Sequence, residues 1–319
     1  MPSLRCPAGH RPSRSDRHSC LSSLRPSPSS GDLHGHRRNS RVDPAGCQVK
    51  LQLLGVRGST PAPGSDFLRY GGHTSCVAIT ASGQSHPTLL LDAGTGIRSV
   101  AEVLAGNAFH GSILLTHLHW DHVCGLPFFD AGDHPDSAVD VYLPAQDGCS
   151  GRNLLARTMS PPYFPIGPES LRGSWSFRAL ESGSLPIAGF EIGCADLVHK
   201  GGRTFGYRVS DASGSMAYLP DHSPTLGVSD DALELITGVD VLLHDAQFVE
   251  SERAMADEYG HATVNDAIAL AVRAKVGSLV LTHHSPTRTD DELDLLAATV
   301  CAPMPVAVAA QGDVLEVNR

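Results

Sequence analysis

The feature that most restricts the fold of this 319-residue chain is a cluster of metal-ligand side chains directly after an apolar run. Residues 112–116 have the composition of a buried strand, and the six residues after them supply His117, His119, Asp121 and His122. Imidazole and carboxylate groups bind divalent metals well, and a tight turn at a strand end can direct several of them at one point. The cluster therefore predicts a metal site at the rim of a β-sheet.

Three further candidate ligands each come directly after an apolar run, and they are His199, Asp221 and His283. Taken alone, each could be an ordinary hydrogen-bonded residue at a sheet edge. Strands reach the rim of a sheet at their ends, so side chains at these positions can converge on a site built by other strands. Together with the first cluster, they provide enough ligands for two cations.

The candidate ligands divide into two sets of three that share one carboxylate. The first set is His117, His119 and His199, and the second is Asp121, His122 and His283, with Asp221 able to bridge both cations. Two neighbouring cations lower the pKa of a shared water toward neutrality and stabilise the attacking and leaving oxygens of a phosphoryl transfer. A His and Asp ligand set admits Zn²⁺ or Mn²⁺, and the sequence leaves that choice open.

The apolar pattern from Gln48 onward predicts many short strands before the first long helix. The predicted strands are residues 49–56, 75–80, 88–91, 112–116, 139–143, 176–180, 191–198, 204–209, 215–219, 239–244, 278–282 and 306–309. Helical spacing predicts helices at 96–104, 230–236, 264–275 and 290–300. This order indicates an α/β (α+β) fold in which sheets pack on each other with helices outside.

The domain organisation predicted from composition is a disordered Arg/Ser/Pro-rich extension at residues 1–47 and one catalytic domain at 48–319. The extension has too little apolar area to offset its ordering entropy. A transit peptide or an over-long translation start are alternative interpretations of the same residues. Residues 146–174, with several Pro and Gly, predict a long surface loop, and such loops often act as lids or binding loops.

Composition excludes several function classes. The sequence has no apolar stretch of roughly 18 residues and no secretory signal, so we expect no membrane span and a cytoplasmic location. The formal net charge is −10, although residues 1–47 are basic, so the remainder is strongly acidic. An acidic body does not attract nucleic acid over its general surface, and any anionic substrate must be held locally, for which metal ions are suited.

The motif HxHxDH, formed by His117, His119, Asp121 and His122, resembles that of the metallo-β-lactamase-fold superfamily. The later ligands match as well, and the resemblance covers about residues 48–319. It implies a four-layer αββα sandwich with the metals at one edge of the two sheets.

Details of the sequence narrow the resemblance to one branch of this superfamily. His119, rather than Glu, disfavours the oxygen-reducing di-iron members, and Asp221, rather than Cys, disfavours the true lactamases. Residues 55–64, 69–76 and 91–96 are similar to ribonuclease Z and to phosphoribosyl cyclic phosphodiesterase. Those proteins usually carry Asn where His73 stands, so the role of His73 is open.

A candidate general acid follows from the same resemblance. His261 opens a helix within the segment Tyr-Gly-His-Ala-Thr, where the resembling phosphodiesterases use a His to donate a proton to the leaving alkoxide. Asp245 can accept a hydrogen bond from that imidazole and keep it charged and oriented. The alternative is that His261 is only a first-turn residue near an N-cap formed by Thr263.

Two more residues near the motif have alternative interpretations. Asp92 ends a predicted strand, and we favour a structural role in the following turn over the orientation of a metal ligand. Trp120 lies between two ligands, and we expect it to wall the metal site rather than to stack on a base.

The predicted function is a binuclear metal-dependent hydrolase. We expect a phosphodiesterase that cleaves a small cyclic or compact phosphodiester with a metal-bridging hydroxide, with His261, Asp245 and Asp121 as catalytic residues. The alternatives are a ribonuclease Z-like endonuclease that processes transfer-RNA 3′ ends, a glyoxalase II-like thioester hydrolase and a non-catalytic metal sensor. The expected partner is a small phosphodiester, with nucleic acid less favoured, no membrane, and a homodimer as the candidate assembly.

Overall fold

Two seven-stranded sheets form the centre of the protein in a computed structural model that describes residues 48–317. The first sheet contains β1 (Val49–Gly55), β2 (Cys76–Thr80), β3 (Leu89–Leu91), β4 (His110–Leu114), β5 (Ala138–Pro144), β6 (Ser174–Leu180) and β14 (Val314–Val317). The second contains β7 (Gly183–Ile187), β8 (Phe190–Leu197), β9 (Thr204–Ser210), β10 (Ser215–Leu219), β11 (Val241–Asp245), β12 (Ser278–Thr282) and β13 (Val306–Val308). Every predicted strand has a counterpart, whereas β7 and β14 were not predicted.

Strand order places the candidate ligands at one edge of both sheets. The first sheet runs β14-β1-β2-β3-β4-β5-β6 and the second β13-β12-β11-β10-β9-β8-β7. Strands β3 to β6 are parallel to one another, and so are β10 to β13. Because the carboxyl ends of parallel strands lie at the same edge, the residues that follow β4, β10, β11 and β12 are brought together.

The helices are short. They are α1 (Val100–Val103), α2 (Trp120–Val123), α3 (Gly151–Ala156), α4 (Asp230–Ile236), α5 (Arg253–Tyr259), α6 (Val264–Ala274) and α7 (Asp290–Thr299). The predicted helix at 96–104 is a 3-10 turn over Thr95–Ser99 that continues as α1. None of the helices between residues 48 and 317 is long and apolar enough to cross a bilayer.

Three separate apolar clusters show that the fold has four layers. One cluster joins the two sheets, and it includes Leu53 of β1 and Tyr218 of β10. Another packs the helical segment of Ile97 against the outer face of the first sheet. A third packs α4 and α6 against the outer face of the second sheet, where Leu270 is buried. The predicted α/β (α+β) αββα sandwich is therefore confirmed.

The predicted loop at residues 146–174 contains regular structure and was partly wrong. It includes α3 and a 3-10 turn over Pro168–Ser170. The hydroxyl of Ser150 accepts a hydrogen bond from the backbone N–H of Asn153, and Leu154 and Leu155 bury the inner face of α3. A helix of this length has too little periodicity to stand out among the neighbouring Pro and Gly residues. The extension predicted at residues 1–47 lies outside the described residues.

Candidate metal centre

The structure brings all seven candidate ligands to one place. His117, His119 and His199 have ligand atoms within 4.8 Å of one another, and so do Asp121, His122 and His283. These are the two sets that the sequence predicts. Residues 117–122 lie between β4 and the end of α2, and the other ligands follow β8, β10 and β12.

Asp221 lies between the two sets, and its carboxylate oxygens face different ones. Its Oδ2 is 2.8 Å from His122 Nε2 and 3.3 Å from His283 Nε2. Its Oδ1 is 3.6 Å from His199 Nε2. Burial disfavours a charge here, but the surrounding His283, His122 and His117 hold the pKa of Asp221 well below its usual range. The side chain is thus an anion placed between two groups of ligands.

Two candidate ligands form hydrogen bonds through Nδ1, which leaves the lone pair of Nε2 directed at the cluster. The Nδ1 of His122 is 2.7 Å from the Asp92 carboxylate, and the Nδ1 of His199 is 2.7 Å from the Gly260 carbonyl oxygen. Both acceptors require Nδ1 to carry the proton, so a neutral ring presents an unprotonated Nε2 to the cluster. The Nε2 atom of His117 is buried with no hydrogen-bond partner among the described residues.

The imidazole lone pairs and the carboxylates of this cluster are suitable ligands for cations. Burial opposes a charge on His122, but Asp121 and Asp221 raise the pKa of its imidazole well above the usual range. The centre therefore requires positive charge where the Nε2 atoms meet the carboxylates, and a divalent cation supplies it. Divalent metal ions are also what the sequence resemblance implies for these ligands.

Asp92 forms hydrogen bonds that orient the ligand cluster, although it is not itself a candidate ligand. Its carboxylate accepts hydrogen bonds from the backbone N–H of Thr116 at 2.7 Å and from the Thr116 hydroxyl at 3.0 Å, besides its contact with His122. The Thr116 oxygen lies 3.0 Å from Nδ1 of His117, from which it can accept. Asp92 thus orients His122 directly and His117 through Thr116. The sequence favours a structural role for Asp92 in the turn, and the structure adds this orienting role.

His261 stands beside the ligands and is paired with Asp245. Its Nδ1 lies 2.8 Å from Asp245 Oδ2 and 3.5 Å from Asp221 Oδ1. Backbone N–H groups of His222 and Gln247 also donate to the Asp245 carboxylate and fix its orientation. Burial lowers the pKa of His261, but Asp245 more than offsets this and raises it to about 9. Because Asp245 binds Nδ1 and the side chain lines the cleft, His261 is placed to donate a proton to a molecule bound there.

The loop after β1 contributes contacts that sequence reasoning missed. The backbone N–H of Ser59 donates to Oδ2 of Asp121 at 2.7 Å, and its hydroxyl accepts from Gln247. A Cβ on Gly58 would lie 2.4 Å from Nδ1 of His283, so only glycine leaves room for that ring. The one available sequence signal was the Arg-Gly-Ser-Thr run, whose similarity to the related branch gave no role to Ser59.

The other histidines near the motif lie outside the cluster. His73 contacts the Thr95 hydroxyl at 3.1 Å rather than a candidate ligand. His222 and His244 bond to each other at 3.0 Å, and His284 bonds to the Ala309 carbonyl oxygen at 2.9 Å. These residues support the loops that carry Asp221, Asp245 and His283.

A cleft of about 430 Å³ opens onto the centre. Its lining includes Ser59, Trp120, Asp121, Asp221 and His261. The indole of Trp120 is 73% exposed, so it stands at the mouth of the cleft instead of being buried against the ligands. The cleft therefore gives a small anionic molecule access to the candidate ligands and to the candidate acid.

Comparison with known proteins identifies the class. A family model described as the beta-lactamase superfamily domain matches residues 88–284. Ribonuclease Z of Bradyrhizobium diazoefficiens is 26% identical over 286 residues, covering 70% of this chain and 91% of that protein. The fold is similar to that of the metallo-beta-lactamase fold protein YhfI from Bacillus subtilis, with 21% identity, a TM-score of 0.64, and coverage of 85% of this chain and 99% of that chain. It is also similar to a diphosphatase from the PhnP family, with 20% identity, a TM-score of 0.65, and coverage of 85% and 98%.

The fold and the ligand set together define a metal-dependent hydrolase. Because the family model matches more than half of the chain, the protein belongs to the beta-lactamase superfamily. Its resemblance is to the ribonuclease Z branch, as the motif residues indicated.

Proposed function

We propose that this protein is a binuclear phosphodiesterase that cleaves a small cyclic or compact phosphodiester. The observation that carries the proposal is the position of Asp221, whose two oxygens face two separate sets of three ligands. A carboxylate in this position suits two neighbouring cations. In this arrangement, His117, His119 and His199 would hold one ion, and Asp121, His122 and His283 would hold the other. Asp221 would be available to both.

The ions themselves would be Zn²⁺ or Mn²⁺, because imidazole and carboxylate ligands accept both. When bound, two such ions supply an activated water at neutral pH and neutralise the non-bridging oxygens of the phosphodiester.

The residues of the chain then have distinct tasks. Asp92 and the Gly260 carbonyl oxygen keep the imidazoles of His122 and His199 in the tautomer that directs Nε2 inward. Asp245 holds the Nδ1 proton of His261, so the other nitrogen is the one that can donate to the departing alkoxide. An alkoxide is a poor leaving group that needs this proton, whereas a thiolate leaves without one. A phosphodiester is therefore a better match for the His261–Asp245 pair than a thioester.

Ribonuclease Z activity is the second candidate, because a relative carries that name. A large RNA requires basic surface that can bind its backbone. The basic residues of the segment 146–174 are Arg152, Arg157 and Arg172. The guanidinium of Arg157 lies 2.6 Å from Asp147, and that of Arg172 lies 2.9 Å from Asp133, so two of the three cations are paired with carboxylates. The guanidinium of Arg152 lies over the Phe177 ring. This arrangement favours the small substrate.

Separate assays of the metal-loaded protein test the two candidates. The substrates are a chromogenic phosphodiester, cyclic mononucleotides, a glutathione thioester and precursor transfer RNA. We expect turnover of the small phosphodiesters and little cleavage of the RNA or the thioester. The variant Asp221→Ala, which removes the shared carboxylate, should lose both turnover and one equivalent of metal. Fast RNA processing without small-substrate turnover would contradict the proposal, and bound metal without turnover of any substrate would indicate a sensor.

A further inference from the structure

A second cavity lies against the metal cleft and shares one wall with it. Its volume is about 540 Å³, which is within the range of small-molecule sites. Trp120 belongs to the lining of both spaces. The remaining wall comes from the segment after α2 and from the segment 146–174, including Leu126, Phe128, Met159, Tyr163 and Phe164. The Trp120 indole therefore borders both spaces, so a ligand that occupies both would pass along this ring.

The wall of this cavity is unusually rich in exposed aromatic rings. Trp120 is 73% exposed, Phe128 is 55% exposed and Tyr163 is 80% exposed. Phe128 and Phe164 pack edge to face with their ring centroids 5.8 Å apart. Single exposed apolar side chains are ordinary, but a contiguous group next to a cleft marks a binding surface. Flat rings with open faces are suited to stack on a planar ligand.

The charge of the wall restricts the ligand further. Arg157 is the only charged residue on the wall among residues 48–317. Its guanidinium lies 2.6 Å from Asp147 Oδ2 and 3.3 Å from Cys149 Sγ, so its charge is already compensated. A second phosphate would have to compete with Asp147 for this one cation. The cavity instead suits a neutral, planar group joined to the phosphate that enters the metal cleft.

We propose that this cavity binds the base of a nucleoside phosphodiester, with the base stacked among Trp120, Phe128 and Tyr163. The inference rests on the proposed phosphodiesterase function and specifies its substrate as a base-bearing ester rather than a bare ribose phosphate. Stacking on aromatic rings tolerates any base, because every base has a flat π-face. The cavity thus contributes affinity for nucleotides without requiring one particular base.

The ligand is a mononucleotide rather than an RNA chain. An RNA would continue beyond the cavity across the protein surface, where its phosphates need cations. The formal net charge is −10, and Arg157 and Arg172 at this face are held by Asp147 and Asp133. Arg152, the third basic residue of the segment 146–174, lies over the Phe177 ring. These three arginines offer a polyanion few unpaired cations around the cavity, whereas a mononucleotide needs only the one phosphate site at the metal centre.

Binding of a reaction product tests the proposal without any turnover. The sequence contains two tryptophans, so Trp175→Phe leaves Trp120 as the sole indole emitter. In the metal-loaded Trp175→Phe protein, adenosine 5′-monophosphate should quench Trp120 fluorescence, and ribose 5-phosphate should not. Calorimetric titration of the unmodified metal-loaded protein with both compounds provides a second measurement that does not depend on the variant. We expect the nucleotide to bind at least about fivefold more tightly than the sugar phosphate, as loss of one stacked base implies.

Variants of the cavity wall test whether the nucleotide binds in this cavity. Phe128→Ala and Tyr163→Ala should each weaken adenosine 5′-monophosphate binding about fivefold or more and leave ribose 5-phosphate binding unchanged. Neither residue is a candidate metal ligand. Leu295→Ala is the matched control, because Leu295 is a large apolar side chain that is 64% exposed on α7, outside both cavities. It should leave both affinities unchanged.

The outcomes separate this inference from the proposed function. Equal affinity for the nucleotide and the sugar phosphate, unchanged by the cavity variants, overturns the inference even when phosphodiesters are hydrolysed. Tighter cavity-dependent binding of a single-stranded oligonucleotide than of the mononucleotide overturns the choice of ligand. Absence of turnover on any phosphodiester refutes the proposed function, whereas the binding measurements still report on the cavity.

Discussion

Asp92 is the residue that joins two candidate ligands to the sheet on which they stand. Its backbone lies in the left-handed region, with φ 59°, a conformation that Asp adopts more readily than most residues. This conformation belongs to the turn after β3, from which the carboxylate contacts Thr116 and His122. The geometry of the metal centre therefore depends on a side chain that need not touch a metal.

The Thr116 hydroxyl provides a direct test of this support. Thr116→Val keeps the shape of the side chain but removes the oxygen that links Asp92 to His117, so the imidazole loses its orientation. We expect metal affinity to fall about 10- to 100-fold, as measured by Zn²⁺ titration against a competing chelator. Thr116→Ser restores the oxygen and should recover most of the affinity. Unchanged affinity in Thr116→Val would show that the link is unnecessary.

His261 makes a different prediction, because its effect depends on the leaving group. His261→Ala should lower kcat about 10²-fold or more for an ester with an alkoxide leaving group. The loss should be much smaller for a p-nitrophenyl ester, whose phenolate departs without a proton. Kinetics on the two esters, with metal content measured in parallel, check this result. His134→Ala is the control, because His134 is a surface histidine that lines neither cavity. Equal losses on both esters would reject the role of an acid.

At the level of secondary structure, the N-cap of helix α6 lies close in the chain to the candidate acid His261. Thr263 is its N-cap, and its hydroxyl and the Asp266 carboxylate form a reciprocal capping box with the backbone. His261 precedes this cap by two residues. The same box fixes the start of the helix and the path of the chain that leads from His261, so the cap has both a structural and a functional effect.

A pair of matched variants separates the two effects. Thr289 caps α7 with the same type of box, formed with Glu292, but lies on another helix. Thr289→Ala should lower the free energy of unfolding by about 1 kcal/mol, as measured by urea denaturation. Thr263→Ala should lower it by at least as much, because the buried Thr263 hydroxyl also bonds to Arg253. Only Thr263→Ala should also lower kcat, because only that cap adjoins His261. Equal kcat values in the two variants would indicate that α6 does not position the acid.

Strand prediction failed at two particular edges, for a physical reason. β7 has a mostly exposed pattern, and so has β14. β7 is at the edge of the second sheet and β14 at the edge of the first, so each pairs with only one neighbour. Their extended form is stabilised by pairing with β8 and β1 more than by burial of alternate side chains. The other two edge strands, β6 and β13, were predicted because each contains an apolar run. β7 contains Gly, Ser and Pro, and β14 has only four residues, so apolar alternation is weak in both.

At the scale of the whole molecule, the buried Arg57 forms hydrogen bonds that link the two halves of the sandwich near the metal centre. Its guanidinium donates to the carbonyl oxygens of Gly71, Ser285 and Arg288, and it faces Asp290 at 3.6 Å. The first of these acceptors belongs to the loop before β2, and the others belong to the segment after β12. This residue therefore ties the first sheet to the loop that carries His283.

Loss of this buried cation should be costly. Arg57→Met removes the charge at similar volume, leaves Asp290 without the cation that faces it, and removes the side-chain donor to the carbonyl oxygens of Gly71 and Arg288. We expect a loss of about 3–5 kcal/mol in the free energy of unfolding, measured by denaturant titration. Arg69→Ala is the control, because Arg69 also contacts two carboxylates but lies at the surface, where an ion pair contributes little. A small loss of unfolding free energy in Arg57→Met would contradict this linking role.

Metal removal should affect the whole molecule as well. Asp121 and Asp221 are buried, so without cations only protonated imidazoles such as that of His122 can balance their charge. Exhaustive chelation should lower the Tm and abolish hydrolysis, and added Zn²⁺ or Mn²⁺ should restore both. Differential scanning calorimetry and a parallel phosphodiester assay measure the two effects. Full activity after removal of all metal, shown by elemental analysis, would contradict the metal centre.

The sequence by itself determined the strands covered by the core and the chemical nature of the site. Runs such as residues 215–219 and 278–282 coincide with β10 and β12, because burial on both faces requires continuous apolar side chains. His117 and His122 were recognisable because they lie close together in the chain. The position of Asp221 and His283 directly after strands was equally a local signal.

Only the tertiary structure decided which distant groups meet. The contacts of Asp92 with His122 and of Ser59 with Asp121 join residues 30 and 62 positions apart, and no local pattern encodes such a distance. The aromatic cavity beside Trp120 likewise combines two segments whose separate sequences suggested a wall residue and a loop. These arrangements arise because the packing of two sheets fixes the positions of loop ends, and hydrogen bonds then form between whichever groups that packing brings within about 3 Å.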